Sequence, residues 1–313
     1  MSRELEMREA LYQSLHHLMR ENEKIVVLDA DLGNANGTAR LKTDFGDRYV
    51  DVGVQEQNMA SVAAGFASYG YIPFITTFSA FATRRICDQI AVSICYAKQN
   101  VKIVGTDAGI SAELNGGTHM SFEDIGVVRS IPDIMIFEPA DGIQLAQAVP
   151  YIAEHEGPVY MRMLRKYKET VFDDAYRFQP MKAEKLREGT DITVIASGFM
   201  VKQALGAARI LEAMGIRCEV LNVHTIKPID EETLLKSIMK TGAAVVAENH
   251  NIIGGLGSAV CELSCGAYPV PVGRVGVNDR FGEVGKLPYL QEALGLTEKD
   301  IVECCKKVMA RKK

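Results

Sequence analysis

The chain reads as an α/β protein of two domains, and three features of the sequence predict this. Apolar strand-like runs alternate with helical stretches along most of its length, the pattern of a largely parallel sheet covered on both faces. At 313 residues it is long enough for two cores, since a domain commonly takes about 150 residues. The alternation lapses once, over the mixed-charge stretch 166–190. We therefore expect a first domain at 1–170, a connection at 171–189 and a second domain at 190–313.

Each element has its own justification. Met7, Leu11, Leu15 and Leu18 recur at helical spacing, with Arg8, Glu9, Gln13, His16 and Arg20 elsewhere on the same surface. KIVVLDAD follows as a buried strand ending in two aspartates and a Gly/Asn loop. Strand YVDVGV leads into helix MASVAAGFASYG, and strand YIPFITTF into one long helix, SAFATRRICDQIAVSICYAKQ, where Ile86, Ile90 and Ile94 recur every fourth residue. VKIVGTDAG, IPDIMIFEPAD and GPVYMRML complete the first set of strands. The second unit runs through DITVIASG, helix MVKQALGAARILEAMG, strand CEVLNVHT, helix EETLLKSIMKTG, strand AAVVAENH and helix GGLGSAVCELSCGA. Asp31, Glu56, Phe78 and Asp107 all fall near expected strand ends, so they can share the rim where α/β sheets bind ligands.

Charge and composition narrow the function. With 35 basic and 40 acidic residues the net charge is −5, and no Lys/Arg run suggests a nucleic-acid face. No run approaches the roughly 18 apolar residues of a membrane span. The opening MSRELEMREALYQ is charged from its third residue and has no apolar core, so no signal peptide is expected. Seven cysteines without a C-x-x-C argue against a disulfide framework and for a reducing cytoplasm. Cys261 and Cys265 can share a helix face, but nothing completes a zinc site, and no metal site is expected.

Three stretches carry chemistry. In VDVGVQEQNM, Glu56 sits among apolar and amide neighbours with no positive residue within five positions. Such a carboxylate is either a solvated helix-start residue or the partner of a hydrogen-bonding ligand. In TTFSAFATRR, Phe78, Phe81 and Arg84 are spaced to lie on one helix face. The two aromatics form either a wall for a flat heteroaromatic ring or ordinary core packing. In SAELNGGTHMSFED, His119 follows two glycines on a loop, a better position for a ligand or proton-transfer group than His16, His17, His155, His224 or His250. GGLGS at 254–258 lacks the full G-x-G-x-x-G pattern and reads as helix–strand packing.

Taken together, GVQEQNMASVAAGFA, TTFSAFATRR, LNGGTHMSFEDIGVVRSIPDI, EPADG and ENHNIIGGLGS resemble the C-terminal half of a transketolase, over nearly the whole chain. The resemblance implies a pyrimidine-binding domain of the thiamine-diphosphate-binding fold and a smaller, Rossmann-like transketolase C-terminal domain. It places thiamine diphosphate at an interface with a separate subunit. Glu56 then hydrogen-bonds the cofactor's aminopyrimidine and sets its tautomer, Phe78 and Phe81 stack on that ring, and Asp31 lies near the cofactor. Arg84 stands where many transketolases have a third aromatic. His119 contacts the donor's reacting oxygens. Arg8 and Arg165 match arginines that hold the sugar phosphate, whereas Asp107 replaces a histidine of that set and Asn115 replaces an aspartate.

Neither the GDG motif nor the Asn pair that bind the cofactor's diphosphate and Mg²⁺ in this family occurs in the sequence. The resemblance therefore implies half of a split enzyme, an α2β2 heterotetramer whose N-terminal subunit carries those motifs and the Mg²⁺. Its reaction would be two-carbon ketol transfer between sugars. The β chain of a 2-oxoacid dehydrogenase and a non-catalytic partner that kept the fold are the alternatives.

Overall fold

Several strands are buried at every position, not at every second one. Ile25–Asp29 (β1), Lys102–Thr106 (β4) and Val159–Arg162 (β6) are buried throughout, so each needs cover on both sides. The structure is a computed structural model and describes residues 5–312. In the first sheet β2 (Tyr49–Asp51), β1, β3 (Ile72–Phe78), β4, β6 and β5 (Met135–Phe137) run parallel in that order. In the second, β12 (Val272–Val277), β11 (Ala244–Asn251), β8 (Ile192–Ala196) and β9 (Cys218–Asn222) are parallel. No helix of the described residues is long and apolar enough to cross a membrane.

The first helix, Met7–Glu21, buries Met7, Ala10, Leu11, Leu15 and Met19 and packs on helix Gly142–Glu154. That second helix starts within the EPADG stretch. The Asp141 carboxylate accepts from the Gln144 N–H at 2.8 Å and so caps the first turn. It also accepts from the N–H groups of Val171 and Phe172, at 2.7 and 2.9 Å, tying the following segment down.

Three expectations need correction. The strand expected over CEVLNVHT ends at Asn222, and its continuation, Thr225–Lys227 (β10), crosses to the first sheet and pairs antiparallel with β5. The Glu138 N–H donates to the His224 carbonyl at 2.8 Å, and Lys227 caps the Arg129 and Ile131 carbonyls, so the units share an edge. Second, the expected connection holds Glu184–Arg187 (β7), the antiparallel edge of the second sheet. Its Glu184 accepts from Tyr176 and from Asn222, the latter at 2.9 Å.

Third, the long helix after Phe78 is broken. Ser79–Ala82 is one turn, Thr83 leaves helical geometry at φ −131°, ψ −82°, and the chain resumes at Arg84–Ile86 before wide π-type turns over Gln89–Tyr96. The buried Thr83 hydroxyl donates to the Ser79 carbonyl at 2.7 Å, a local bond that competes with regular helix continuation. The chain beyond residue 268 forms β12 and helices Leu287–Ala293 and Glu298–Met309. A capping box between Thr297 and Asp300 starts the last helix.

The units meet through a buried polar network. Arg162, on β6, is 0% exposed and donates to Asp124 at 2.7 and 3.2 Å, to Glu138 at 2.5 Å and to the Asn249 carbonyl at 3.1 Å. Across the boundary, Ser197 donates to Glu138 at 2.5 Å and the Asn249 amide spans Ala108 and Ile110 at 3.0 and 3.1 Å. Nearby, Glu248 accepts from the Leu256 and Gly257 N–H groups at 2.7 and 2.9 Å. The GGLGS turn is thus filled by the protein's own carboxylate, in keeping with a packing role.

Candidate active site

The carboxyl ends of β4, β3, β1 and β2 lie side by side, and the expected rim forms there. Phe78 ends β3, Asp107 follows β4, Asp31 lies two residues past β1, and Glu56 opens helix Glu56–Ser68 after β2. The helix start favours a carboxylate through its unpaired N–H groups and dipole.

Glu56 is 3% exposed, which rules out the solvated reading. Its cation comes from a distant part of the chain. Arg85, 29 positions on, donates one nitrogen to both carboxylate oxygens at 3.1 and 3.2 Å. The same guanidinium lies over Phe81, its Cζ 4.1 Å from the ring centroid. Sequence reasoning missed Arg85 because it assumed an unbroken helix. The TRR doublet was the available signal.

Phe78, Phe81 and His119 form one aromatic cluster. The two phenylalanine rings stack at 6.0 Å, and His119 meets them edge-on at 6.1 and 5.4 Å. His119 Nδ1 is hydrogen-bonded to the Thr118 hydroxyl at 3.0 Å. Its loop is held close: Gly116 takes φ +76°, and a Cβ on Gly117 would stand 2.3 Å from the Gly282 carbonyl oxygen. Arg84 does not share a helix face with the aromatics, since the break at Thr83 turns it away. It donates instead to Glu123 at 2.7 Å and to the Thr118 carbonyl at 2.8 Å, bracing the His119 loop.

A second cluster borders Phe78. The Arg165 Cζ lies 5.4 Å from the Phe78 centroid, and Arg165 Nε donates to Asp107 Oδ1 at 3.2 Å. Arg165 Nη2 is 3.1 Å from Asp107 Oδ2, yet that oxygen has no hydrogen-bond partner, so charge alone holds it. Burial pushes the Asp107 carboxyl up to about 6, against the pull of Arg165. The Arg8 N–H donates to the Arg165 carbonyl at 3.0 Å, while the Arg8 side chain donates to Glu6 at 2.6 Å. Asn115 and Asp31 stand exposed, Asp31 at φ +61° with its N–H donating to Asp51 at 3.0 Å. Asn36, unremarked in the sequence, is fully buried with its Nδ2 unpartnered.

These residues fit an aminopyrimidine ring: a buried carboxylate can accept from a ring N–H beside two aromatic faces. Arg85 now covers that carboxylate, and its side chain is 44% exposed, so it is free to swing into solvent. Among the described residues no group of three His, Cys, Asp or Glu could hold a metal ion.

The transketolase pyrimidine-binding domain matches residues 3–168, and the transketolase C-terminal domain matches residues 181–301. The 6-deoxy-6-sulfo-D-fructose transketolase subunit SqwH of Clostridium sp. (strain MSTE9) is 51% identical over 98% of this chain and 95% of its own. One of the subunits of the apulose-4-phosphate transketolase of Phocaeicola vulgatus is 33% identical, covering 87% of each chain. A solved split-gene transketolase, an inactive beta4 tetramer, is 44% identical over 99% of both chains with a TM-score of 0.90. These relatives favour a transketolase over the β chain of a 2-oxoacid dehydrogenase. With both domains matched in order along it, the chain belongs to the transketolase family as the subunit type that joins the pyrimidine-binding and C-terminal domains.

Proposed function

We propose that this chain is one subunit of a cytoplasmic, thiamine-diphosphate-dependent transketolase that moves a two-carbon ketol unit from an anionic ketose to an aldose. The observation that carries this reading is Glu56, a buried carboxylate at a helix start, joined through the Arg85 guanidinium to Phe81, which in turn meets His119. When bound, thiamine diphosphate supplies the electron sink for the carbanion chemistry. The chain's own residues bind, orient and manage protons.

Glu56 accepts a hydrogen bond from the aminopyrimidine ring nitrogen and fixes its tautomer. A charge-assisted bond of this kind is worth roughly 1.5–3 kcal/mol net. Phe78 and Phe81 give the ring its flat wall, and Asp31 borders the cofactor. His119, with Nδ1 engaged by Thr118, offers Nε2 to the donor's hydroxyl and carbonyl oxygens. Asn115 meets a sugar hydroxyl, and Arg8 and Arg165 with Asp107 form the tail-binding end. The two relatives named for their sugars act on a sulfonated and a phosphorylated one, which supports an anionic substrate.

The partner in this reading is an N-terminal subunit that carries GDG and the Asn pair and holds Mg²⁺. Two copies of each rebuild a two-fold assembly as an α2β2 heterotetramer. The solved beta4 relative, described as inactive, supports a need for such a partner. The test is to purify the chain with that subunit and assay ketol transfer with ThDP and Mg²⁺. Transfer that disappears in Glu56→Gln supports the proposal. A well-formed assembly that moves no ketol unit from any anionic ketose would overturn it.

A further inference from the structure

We propose that Asp107, together with Glu6, makes the tail-binding end of this site select a singly charged anion, a sulfonate, over a doubly charged phosphate ester. This rests on the ketol-transfer reading and deepens it by naming the substrate class.

The inference starts from how the arginines are already engaged. One edge of the Arg165 guanidinium faces Asp107, with Nε 3.2 Å from Oδ1 and Nη2 3.1 Å from Oδ2. Arg8 is tied to Arg165 through the backbone, its N–H bonded to the Arg165 carbonyl at 3.0 Å, and its Nε donates to Glu6 at 2.6 Å. Lys168 also faces Glu6, 3.5 Å from its second oxygen. Lys166 and Glu113 act on Asp107 through space, the first favouring its charge and the second opposing it. Among the described residues these contacts set Arg8, Arg165, Lys166 and Lys168 against Glu6, Asp107 and Glu113, a surplus of one positive charge.

One surplus charge matches a monoanion. A sulfonate carries a single charge throughout the pH range of a folded protein, whereas a phosphate monoester carries about −1.5 to −2 at pH 7. Guanidinium groups grip a phosphate dianion best with a free, bidentate edge. Arg165 has given such an edge to Asp107. That carboxylate is 1% exposed, so little water screens its repulsion of a second negative charge. A sulfonate asks less of the site: three oxygens to accept hydrogen bonds, and one charge to balance.

The experiment compares 6-deoxy-6-sulfofructose with fructose 6-phosphate as donors for the assembled enzyme at pH 7.5. Hydroxypyruvate, a donor without a tail, reports ketol transfer itself. The sulfonate is expected to lead by on the order of tenfold in kcat/KM, chiefly through KM. Asp107→Asn keeps the shape and tolerates the φ of +53° at this position. It is expected to raise use of the phosphate by about tenfold, and Glu6→Gln, at a half-buried position, should move the ratio the same way. Equal or better use of the phosphate by the parent, or a ratio that neither variant moves, would overturn the proposal. No transfer even from hydroxypyruvate would instead count against ketol transfer. Calorimetry of the two sugars on the assembled protein would then still decide which charge the site prefers.

Discussion

One guanidinium nitrogen of Arg85 straddles both carboxylate oxygens of Glu56, at 3.1 and 3.2 Å, while Phe81 lies under the same guanidinium. The pair is lopsided, with Glu56 3% exposed and the Arg85 side chain 44% exposed. A buried carboxylate without a cation is costly, and this cation can leave without being desolvated. Arg85 is thus the one partner of the pair whose side chain reaches solvent.

Glu56→Gln should accordingly lose far more rate than binding. In the assembled enzyme, cofactor affinity is expected to fall about tenfold, the value of one charge-assisted bond, and ketol transfer by at least about a hundredfold. Arg85→Met keeps cover over Phe81 but removes the competitor, and should tighten cofactor binding a few-fold. Calorimetry and single-turnover rates separate the two effects. Full turnover in Glu56→Gln would remove Glu56 from the chemistry.

Arg84 braces the loop that carries His119. It holds the Thr118 carbonyl at 2.8 Å and Glu123 at 2.7 Å, and Thr118 in turn holds the His119 ring. Arg84→Ala is expected to lower kcat for donor cleavage by about tenfold through lost orientation, with cofactor affinity nearly unchanged. His119→Ala should lower it further. Arg84→Lys, able to keep one of the two bonds, should recover part of the loss. A change confined to cofactor binding would place Arg84 at the ring instead.

Much of this site was legible in the sequence because parallel strands put their carboxyl ends together. Asp31, Glu56, Phe78 and Asp107 were assigned to strand ends from apolar runs alone, and they share one rim. What the sequence hid were contacts that depend on irregular backbone. The break at Thr83 sends Arg84 to the His119 loop and Arg85 to Glu56, and no helical periodicity contains that information. The crossing of β10 into the first sheet was equally hidden, because Thr225–Lys227 carries no pattern that names its partner. Asp107 was recognisable as a misplaced charge, but its capture of Arg165 is a tertiary fact.

Arg162 is the group on which the two units depend. It is fully buried and balances Asp124 and Glu138, while Ser197 and Asn249 join the same network from the second unit. Arg162→Met would leave two buried carboxylates without their cation. The expected cost is about 3–5 kcal/mol in denaturant unfolding, enough to threaten folding of the parent at room temperature. Glu138→Gln on that background removes one of the stranded charges and should return part of the loss. A double-mutant cycle with no coupling would mean that the network is not a unit.

Two buried histidines work against folding as the pH falls. His224 packs against Phe137 and Phe178 at 5.2 and 4.9 Å, and His250 accepts from the Gly126 N–H at 3.3 Å, a bond that a protonated ring would lose. Burial pushes each ring down to about 4 from an ordinary 6.5. Both stay neutral when folded and take up a proton when unfolded, so their contribution is complete above pH 6.5 and is lost as pH falls towards 4. Each is worth about 3 kcal/mol over that window. Glu248, raised to about 7 by burial, works in the opposite direction, because its folded form binds a proton first and gains stability on acidification from pH 7 towards 4.5. The histidine part is therefore read as a difference between proteins. Urea unfolding at pH 7.5, 6 and 5 should show His250→Gln losing less stability on acidification than the parent, by up to about 2 kcal/mol at pH 5. Parallel pH profiles for the two proteins would mean that His250 is not held neutral in the folded chain.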